Sequence, residues 1–285
     1  MATLIVLKRR IKTAKNVSKT TKAMQLISAS KLKKAQEAAV LSKPYVGKLD
    51  ELSKRLSQKV DRENMSEYMK KPESTNSKLI LVISPDKGLC GGLVTNLVRE
   101  VINMENKNKN VYISVGKKAE TYLSSFGKEI IASFPFGTTL PAFDTIYPIA
   151  KIVNDYFLQK KVNEVIIVTT KFVSVFSQVV HISSLLPISL SKEKDIIVSD
   201  MQFEPSTEEL LPDLLNHYLE MMLYQSLLEA YASEQASRMI AMKSATDNAL
   251  DIIGELNLLY NKSRQEKITN ELLDIGGGSF AYAQS

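Results

Sequence analysis

Both ends of the chain carry a stripe of residues spaced alternately by three and four positions. Toward the C-terminus the stripe comprises Leu211, Leu214, Tyr218, Met221, Gln225, Leu228, Ala232, Gln235, Met239, Met242, Thr246, Ala249, Ile253, Leu256 and Tyr260. Toward the N-terminus a stripe of mostly small side chains comprises Leu4, Leu7, Ile11, Ala14, Ser18, Thr21, Gln25, Ser28, Leu32, Ala35 and Ala39. Such spacing is typical of coiled-coil helices, in which one stripe packs against another. We therefore predict that the two ends pair as a long antiparallel coiled coil.

The predicted C-terminal helix is longer than the N-terminal helix can cover. From about residue 206 to about residue 276, at 1.5 Å per residue, the C-terminal helix spans roughly 100 Å. The N-terminal helix, with about forty residues, covers only about 60 Å of that length. We therefore expect a stretch of the C-terminal helix to project alone, which implies a partner.

A different pattern separates the two ends. After a polar linker at 61–77, residues 79–84 form an apolar run that predicts a buried strand. Predicted helices at 93–104, 117–126 and 144–159 then alternate with predicted strands at 111–115, 129–134, 165–173 and 178–187. This alternation indicates a mostly parallel sheet, here closed by an antiparallel hairpin. The predicted fold class is α+β or α/β, with a Rossmann-like α/β domain at 78–200 inserted between coiled-coil segments at 1–60 and 201–285.

The composition indicates a soluble globular protein. Hydrophobic residues make up 44% and charged residues 24% of the 285 residues, and the net charge of +6 favours acidic partners. The single cysteine, Cys90, excludes an internal disulfide and favours a reducing compartment. We find no apolar run of about eighteen residues and no cleavable signal, so we expect any membrane attachment to go through a partner.

The segment 86–92, with Gly88, Gly91 and Gly92, is a glycine-rich turn between a predicted strand and a predicted helix. Phosphates often bind at such a position, but the spacing matches no nucleotide-binding motif, so we interpret the three glycines as a structural turn. Cys90 is interpreted as a small buried residue, because no activating base lies near it in sequence. The two histidines, His181 and His217, have no ligand cluster around them. We therefore predict no catalytic residue, no metal site and no cofactor, with a nucleotide-dependent enzyme using this turn as one alternative.

The N-terminal helix is strongly basic. It contains a run without acidic residues comprising Lys8, Arg9, Arg10, Lys12, Lys15, Lys19, Lys22, Lys31, Lys33 and Lys34. These charges surround most of the helix, and no aromatic residues are interleaved for stacking on bases. A solvated surface, a helix that passes acidic protein surface and a nucleic-acid-binding coiled coil all remain open on this pattern.

Long motifs at three separate places resemble the γ subunits of F-type ATP synthases. They are the C-terminal stretches at 232–249 (ASEQASRMIAMKSATDNA) and 260–272 (YNKSRQEKITNEL), the N-terminal stretches at 11–24 (IKTAKNVSKTTKAM) and 28–32 (SASKL), and the central DKGLCGGL at 86–93. The chain departs from the usual family pattern in Lys87, in Val94 and in the three glycines at 276–278, where we expect the helix to fray.

The resemblance implies a non-catalytic rotor shaft that turns inside a hexamer of α and β subunits. The inserted domain would seat the shaft on the membrane c-ring together with the ε subunit, and ion flow would thereby be coupled to ATP synthesis or hydrolysis on the β subunits. By position in the family motifs, Met24, Arg238, Gln265 and Thr269 would contact the β subunits, and Phe203 and Glu204 would contact the c-ring or ε. The resemblance further implies no nucleic-acid or small-molecule ligand, and a peripheral location on the inner face of a bacterial plasma membrane.

Overall fold

The computed structural model describes residues 4–59, 66–72, 77–104, 110–188, 204 and 206–282. The helices are α1 (Leu4–Lys59), α2 (Leu93–Asn103), α3 (Lys117–Ser125), α4 (Tyr147–Leu158) and α5 (Thr207–Tyr282). The strands are β1 (Lys78–Ile83), β2 (Val111–Val115), β3 (Glu129–Phe134), β4 (Glu164–Phe172) and β5 (Gln178–Leu186). Short 3-10 helices occupy Glu67–Met69 and Phe143–Ile146. The predicted order of helices and strands in the inserted domain is confirmed.

The chain divides into two compact units. One comprises Met1–Ile27 with Met239–Ser285, and the other comprises Ser28–Arg238. In the first unit the predicted stripes are the buried faces of the helices: Leu7, Ile11 and Ser18 of α1, and Met242, Thr246 and Ala249 of α5. The hydroxyl oxygens of Thr21 and Thr246 lie 2.7 Å apart, which joins the two stripes directly. The coiled-coil prediction is confirmed in this unit.

Helix α1 is longer than the expected length of about forty residues, although it ends within the predicted coiled-coil segment at 1–60. Helix α1 has 56 residues and continues past Pro44, because its stripe goes on through half-buried Ser42 and Val46 and buried Leu49 and Leu56. A stripe that still has apolar surface to bury outweighs one backbone hydrogen bond lost at a proline. The expected length of about forty residues was therefore too short.

The C-terminal glycines do not end α5. The helix has 76 residues and runs through the three glycines at 276–278 to Tyr282. Each glycine disfavours the helix by about 1 kcal/mol relative to alanine, but adding residues to an existing helix needs no new nucleus. The described backbone is helical through these glycines, and fraying of this end stays a prediction.

The second unit contains a five-stranded sheet in the order β3-β2-β1-β4-β5. All neighbouring strands are parallel except β4 and β5, which are antiparallel as predicted. The central strand β1 is buried from Leu79 to Ile83. Its residues Ile80 and Val82 join a core with Leu97 of α2 and Leu123 of α3, so these two helices cover one face of the sheet. The amino end of α2 and the turn that precedes it lie beyond the carboxyl end of β1.

Candidate functional site

Helix α5 is buried on nearly all sides over its segment 227–238. All but two of these twelve residues are buried, whereas one stripe of a two-helix coiled coil buries only two or three positions in every seven. The additional burial comes from the inserted domain. Within the same unit, the hydroxyl of Tyr231 donates to the carbonyl of Thr138 (3.2 Å), and the hydroxyl of Ser233 donates to the carbonyl of Thr170 (3.0 Å). The segment is therefore the place where the α/β domain is attached to the long helix.

Arg238 makes the most extensive of these contacts. Its Nη1 lies 2.6 Å from Oε1 of Glu234, one turn earlier on α5. Its Nη2 donates to the carbonyl oxygens of Lys87 and Gly88, each at 3.2 Å. The residue is only 9% exposed. The guanidinium thus connects α5 to the backbone of the glycine turn, using the planar set of donors that arginine provides.

Glu234 is the buried anion of this contact. It is 4% exposed, and its second oxygen, Oε2, has no hydrogen-bond partner. Burial raises the pKa of Glu234 above its usual range, although the neighbouring charge of Arg238 acts to lower it. A buried ion pair gains little net stability because both ions lose their hydration, but removing one partner is strongly destabilising. The pair therefore specifies a geometry more than it adds stability.

The glycine turn is held from two sides. On the side of α5, the hydroxyl of Ser237 donates to the carbonyl of Cys90 at 2.6 Å. On the side of the sheet, the carboxylate of Asp86 accepts hydrogen bonds from the backbone N–H groups of Lys117 (2.9 Å) and Gly137 (2.8 Å). The carbonyl oxygens of Lys87, Gly88 and Cys90 in the turn thus accept hydrogen bonds from α5.

The backbone of the turn differs in detail from the sequence interpretation. Positive φ angles occur at Gly91 (58°) and at Leu89 (64°), and Gly92 precedes α2 as its N-cap with φ of −83°. Only Gly91 of the three glycines uses the left-handed region that glycine favours. Cys90 is buried, and that burial raises the pKa of its thiol, as expected for a small buried residue.

The predicted β-subunit residues occupy different environments. Gln265 and Thr269 lie one turn apart on an exposed stretch of α5, where the hydroxyl of Thr269 donates to the carbonyl of Gln265 at 3.0 Å. Met24 is half-buried on α1. Arg238 is the exception, because its guanidinium already has partners within its own chain.

Of the two residues predicted to contact the c-ring or ε, the structure describes only Glu204. Glu204 is exposed, and Phe203 lies outside the described residues. The basic residues of α1 from Lys8 to Lys22 are all exposed, which leaves their charges available to a partner.

The histidines have protein neighbours or solvent around them. The Nε2 of His217 lies 2.8 Å from the hydroxyl of Tyr45, and its Nδ1 lies 3.5 Å from a carboxylate oxygen of Glu220. His181 is exposed on β5. Across the described part of the chain, no three His, Cys, Asp or Glu side chains are grouped so that they could bind a metal ion. Among the helices that the structure describes, none has a segment both long enough and apolar enough to span a membrane.

Comparisons with known proteins cover nearly the whole chain. A family model described as ATP synthase matches residues 3–282. The ATP synthase gamma chain of Dehalococcoides mccartyi is 38% identical over 285 residues, with 99% of this chain and all of the relative aligned. The central stalk and c-ring structure of the Tetrahymena thermophila mitochondrial ATP synthase contains a chain that is 26% identical, with a TM-score of 0.59 over 79% of this chain and 99% of the other. The mitochondrial ATP synthase of Euglena gracilis, in its OSCP/F1/c-ring structure, contains a chain with a TM-score of 0.69 and 20% identity, over 98% of this chain and 94% of the other.

Proposed function

The chain belongs to the ATP synthase gamma-chain family and is a central-stalk subunit of an F-type ATP synthase, and from this premise we propose that it is a non-catalytic rotor. In this proposal the unit formed by Met1–Ile27 and Met239–Ser285 is the shaft, which turns inside a hexamer of α and β subunits. The unit formed by Ser28–Arg238 contains the sheet and receives torque from the membrane c-ring together with the ε subunit. The chain then couples ion flow to ATP synthesis or hydrolysis without catalysing either.

The observation that carries this proposal is the narrow buried stripe of the first unit. From Met242 to Tyr260 only one face of α5 is buried or half-buried, and beyond Ser263 every described side chain is exposed. That exposed surface includes large apolar residues such as Leu258 (74% exposed), Leu272 (65%) and Leu273 (65%). Apolar surface of this extent on a helix is typical of a segment that a partner covers. A sleeve of α and β subunits is the partner that the family provides.

A rotor drives its neighbours by contacting their conformations unequally. Reversing a preference of 1:99 to 99:1 takes about 5.5 kcal/mol of differential interaction. We propose that Gln265, Thr269 and Met24 supply part of this difference through contacts with the β subunits. A β-subunit contact of Arg238 stays a prediction. The exposed cations of α1 would add attraction to acidic surfaces that they pass.

For the opposite end of the rotor, we propose that Glu204 and Phe203 contact the c-ring or ε. In the proposal, the unit Ser28–Arg238 catalyses no reaction. Its turn at Gly88, Gly91 and Gly92 is structural, and no metal or cofactor takes part. We further propose that the assembled complex lies on the inner face of a bacterial plasma membrane, to which this chain is tied through its partners.

The proposal is tested by assembling the chain with its cognate α and β subunits. Purification of a 3:3:1 complex that hydrolyses ATP, with no hydrolysis by the chain alone, is the expected result. An isolated chain that hydrolyses nucleotide, or one that stays separate from αβ and binds DNA, would contradict it.

The exposed contact residues are tested in the same complex. We expect Gln265→Ala combined with Thr269→Ala to lower ATPase turnover about tenfold, the scale of one or two lost hydrogen bonds in a coupled step, while assembly is unchanged. The matched control is Lys267→Ala combined with Glu271→Ala, which removes an exposed pair of the same i,i+4 spacing from another face of the helix. Equal turnover of the two double variants would remove Gln265 and Thr269 from the contact surface.

A further inference from the structure

The buried pair of Glu234 and Arg238 lies at the last residues of the unit that contains the sheet. That unit ends at Arg238 on α5, and the unit that forms the proposed shaft begins at Met239. On the described part of α5, the hydrogen bonds to the inserted domain also end in this region, with Ser237 bound to Cys90 and Arg238 bound to Lys87 and Gly88. The attachment therefore stops where the proposed shaft starts.

The contact has the features of a geometric constraint. Arg238 binds an anion on its own helix and two carbonyl oxygens of the turn at once, so the guanidinium fixes both the position and the rotation of the turn relative to this part of α5. The strand β1 leads directly into the same turn, and Asp86 ties the turn to the amino end of α3 and to Gly137. A force on the sheet therefore reaches α5 through a short path of hydrogen bonds.

We propose that Glu234 and Arg238 form an internal clamp that transmits torque from the α/β domain to α5. The clamp holds the glycine turn against the helix, and Ser237 closes it on the side of Cys90. The structural part of this inference stands on the contacts alone, and the part that concerns torque rests on the proposed rotor function. In the clamp, Arg238 is a positioning residue that acts on its own chain, which gives it a role different from the β-subunit contact predicted from sequence.

A substitution of Glu234 distinguishes the clamp role of Arg238 from a β-subunit contact. Because Glu234 is 4% exposed, it has almost no surface with which to contact another subunit. If Arg238 acts through the clamp, Glu234→Gln reproduces the effect of Arg238→Met. If Arg238 acts by contacting a β subunit, Glu234→Gln has a much smaller effect than Arg238→Met.

The clamp is first tested in the full-length chain through the reactivity of Cys90. This residue is the chain's single cysteine, it is 2% exposed, and its carbonyl accepts the hydrogen bond of Ser237. The charges of Glu234 and Arg238 also act on the pKa of this thiol, so the rate is measured across pH in each variant and corrected for the thiolate fraction. The corrected rate of alkylation then reports opening of the turn. We expect Glu234→Gln and Arg238→Met each to raise the rate roughly a hundredfold, as the loss of one partner from a buried ion pair predicts. An unchanged rate in either variant would overturn the clamp.

Three further variants separate local opening from general effects. The control Glu37→Gln breaks an exposed i,i+4 pair with Lys33 and leaves the rate unchanged. Val153→Ala destabilises the same unit by removing buried apolar surface from α4. For the same measured loss of global stability, we expect it to raise the alkylation rate of Cys90 less than Glu234→Gln does. The exchanged pair, Glu234→Arg with Arg238→Glu, places a carboxylate against the carbonyls of Lys87 and Gly88 and does not restore protection. Restored protection, or a Val153→Ala effect as large as that of the pair, would show that no clamp to the turn exists.

Torque transmission is then measured in the assembled, membrane-reconstituted complex. We expect Glu234→Gln to lower ATP-driven ion pumping per ATP hydrolysed by roughly twofold or more, on the scale of mutational losses in coupling between sites. Arg238→Lys keeps the charge but not the planar set of donors, so it should give an intermediate ratio. A faster Cys90 reaction with an unchanged pumping ratio would overturn the torque role and leave the clamp. Failure of the wild-type chain to assemble would reject the rotor function and leave the Cys90 result standing.

Discussion

Two glycines at the ends of α3 have positive φ angles but very different surroundings. Gly116 joins β2 to α3 with φ of 99°, and a Cβ built on it would lie 1.9 Å from the carbonyl oxygen of Ser84. Gly127 follows α3 with φ of 64°, and nothing lies within 4 Å of the same Cβ position. Gly116→Ala and Gly127→Ala therefore make one chemical change in two settings, a crowded one and an open one.

The expected magnitudes follow from this difference. At Gly127 the new side chain meets only the backbone penalty of the left-handed region, so the free energy of unfolding falls by about 1 kcal/mol. At Gly116 the backbone penalty, about 1–3 kcal/mol, is joined by a displacement of Ser84. Ser84 accepts a hydrogen bond at its hydroxyl from the N–H of Ala119 (2.7 Å), and its own N–H donates to Val115 (2.8 Å). Disturbing both at about 1 kcal/mol each brings the expected loss to roughly 3–5 kcal/mol.

Urea unfolding of the full-length chain followed by tyrosine fluorescence measures both losses. The chain has no tryptophan, and nine of its eleven tyrosines, including Tyr112 in the core of the sheet, lie in the unit that contains both glycines, so tyrosine emission reports mainly that unit. Two losses equal to within about 0.5 kcal/mol, the usual spread for substitutions without a steric mechanism, would refute the argument from crowding.

Two further predictions concern single side chains of α5. Burial, with the charge of Asp50 beside it, raises the pKa of Tyr218 from 10.0 to about 12. Between about pH 10 and 12 the unfolded state binds fewer protons than the folded state, so the free energy of unfolding should fall as the pH rises. Because the side chain is partly exposed, the fall should be less than the roughly 2.7 kcal/mol of an unscreened shift. In urea titrations at alkaline pH, Tyr218→Phe should remove this pH-dependent loss of stability. In the shaft, Thr246→Val removes the contact with Thr21 and should lower the free energy of unfolding by about 1 kcal/mol. The control is Thr269→Val, which removes an exposed hydroxyl that, like that of Thr246, donates to the carbonyl four residues earlier. Equal urea midpoints for Thr246→Val and Thr269→Val would contradict a role for the cross-helix contact.

Periodicity predicted the fold well because each pattern has one physical cause. The stripe from Met242 to Ala249 is buried as a stripe, since in that unit α5 packs against a single helix. Strands β2 and β3 match their predicted bounds, because β-branched residues stand between glycine and polar turn residues there. Propensity was less successful at Pro44, where packing outweighs local preference.

The contact made by Arg238 was the main feature that the sequence interpretation did not predict. Position 238 lies between the stripe residues Gln235 and Met239, so a two-helix coiled coil would leave its side chain in solvent or against a partner subunit. A two-helix coiled coil gives α5 one neighbour along its length, whereas at this level α5 has the inserted domain as a second neighbour.

A signal for the second neighbour was nonetheless present in the sequence. In the segment 230–237 small residues appear on several faces of the helix, at Ala230, Ala232, Ser233, Ala236 and Ser237. Small side chains on one face allow one close neighbour, and small side chains all round indicate neighbours on several sides. Glu234 lies within this segment and Arg238 follows it directly, so a pair between them is expected to be buried with the segment. A buried arginine also needs acceptors beyond its own helix. On this reasoning the burial of Glu234 and Arg238 follows from composition, while the choice of the Lys87 and Gly88 carbonyls depends on the tertiary path of the turn after β1, which no local pattern encodes.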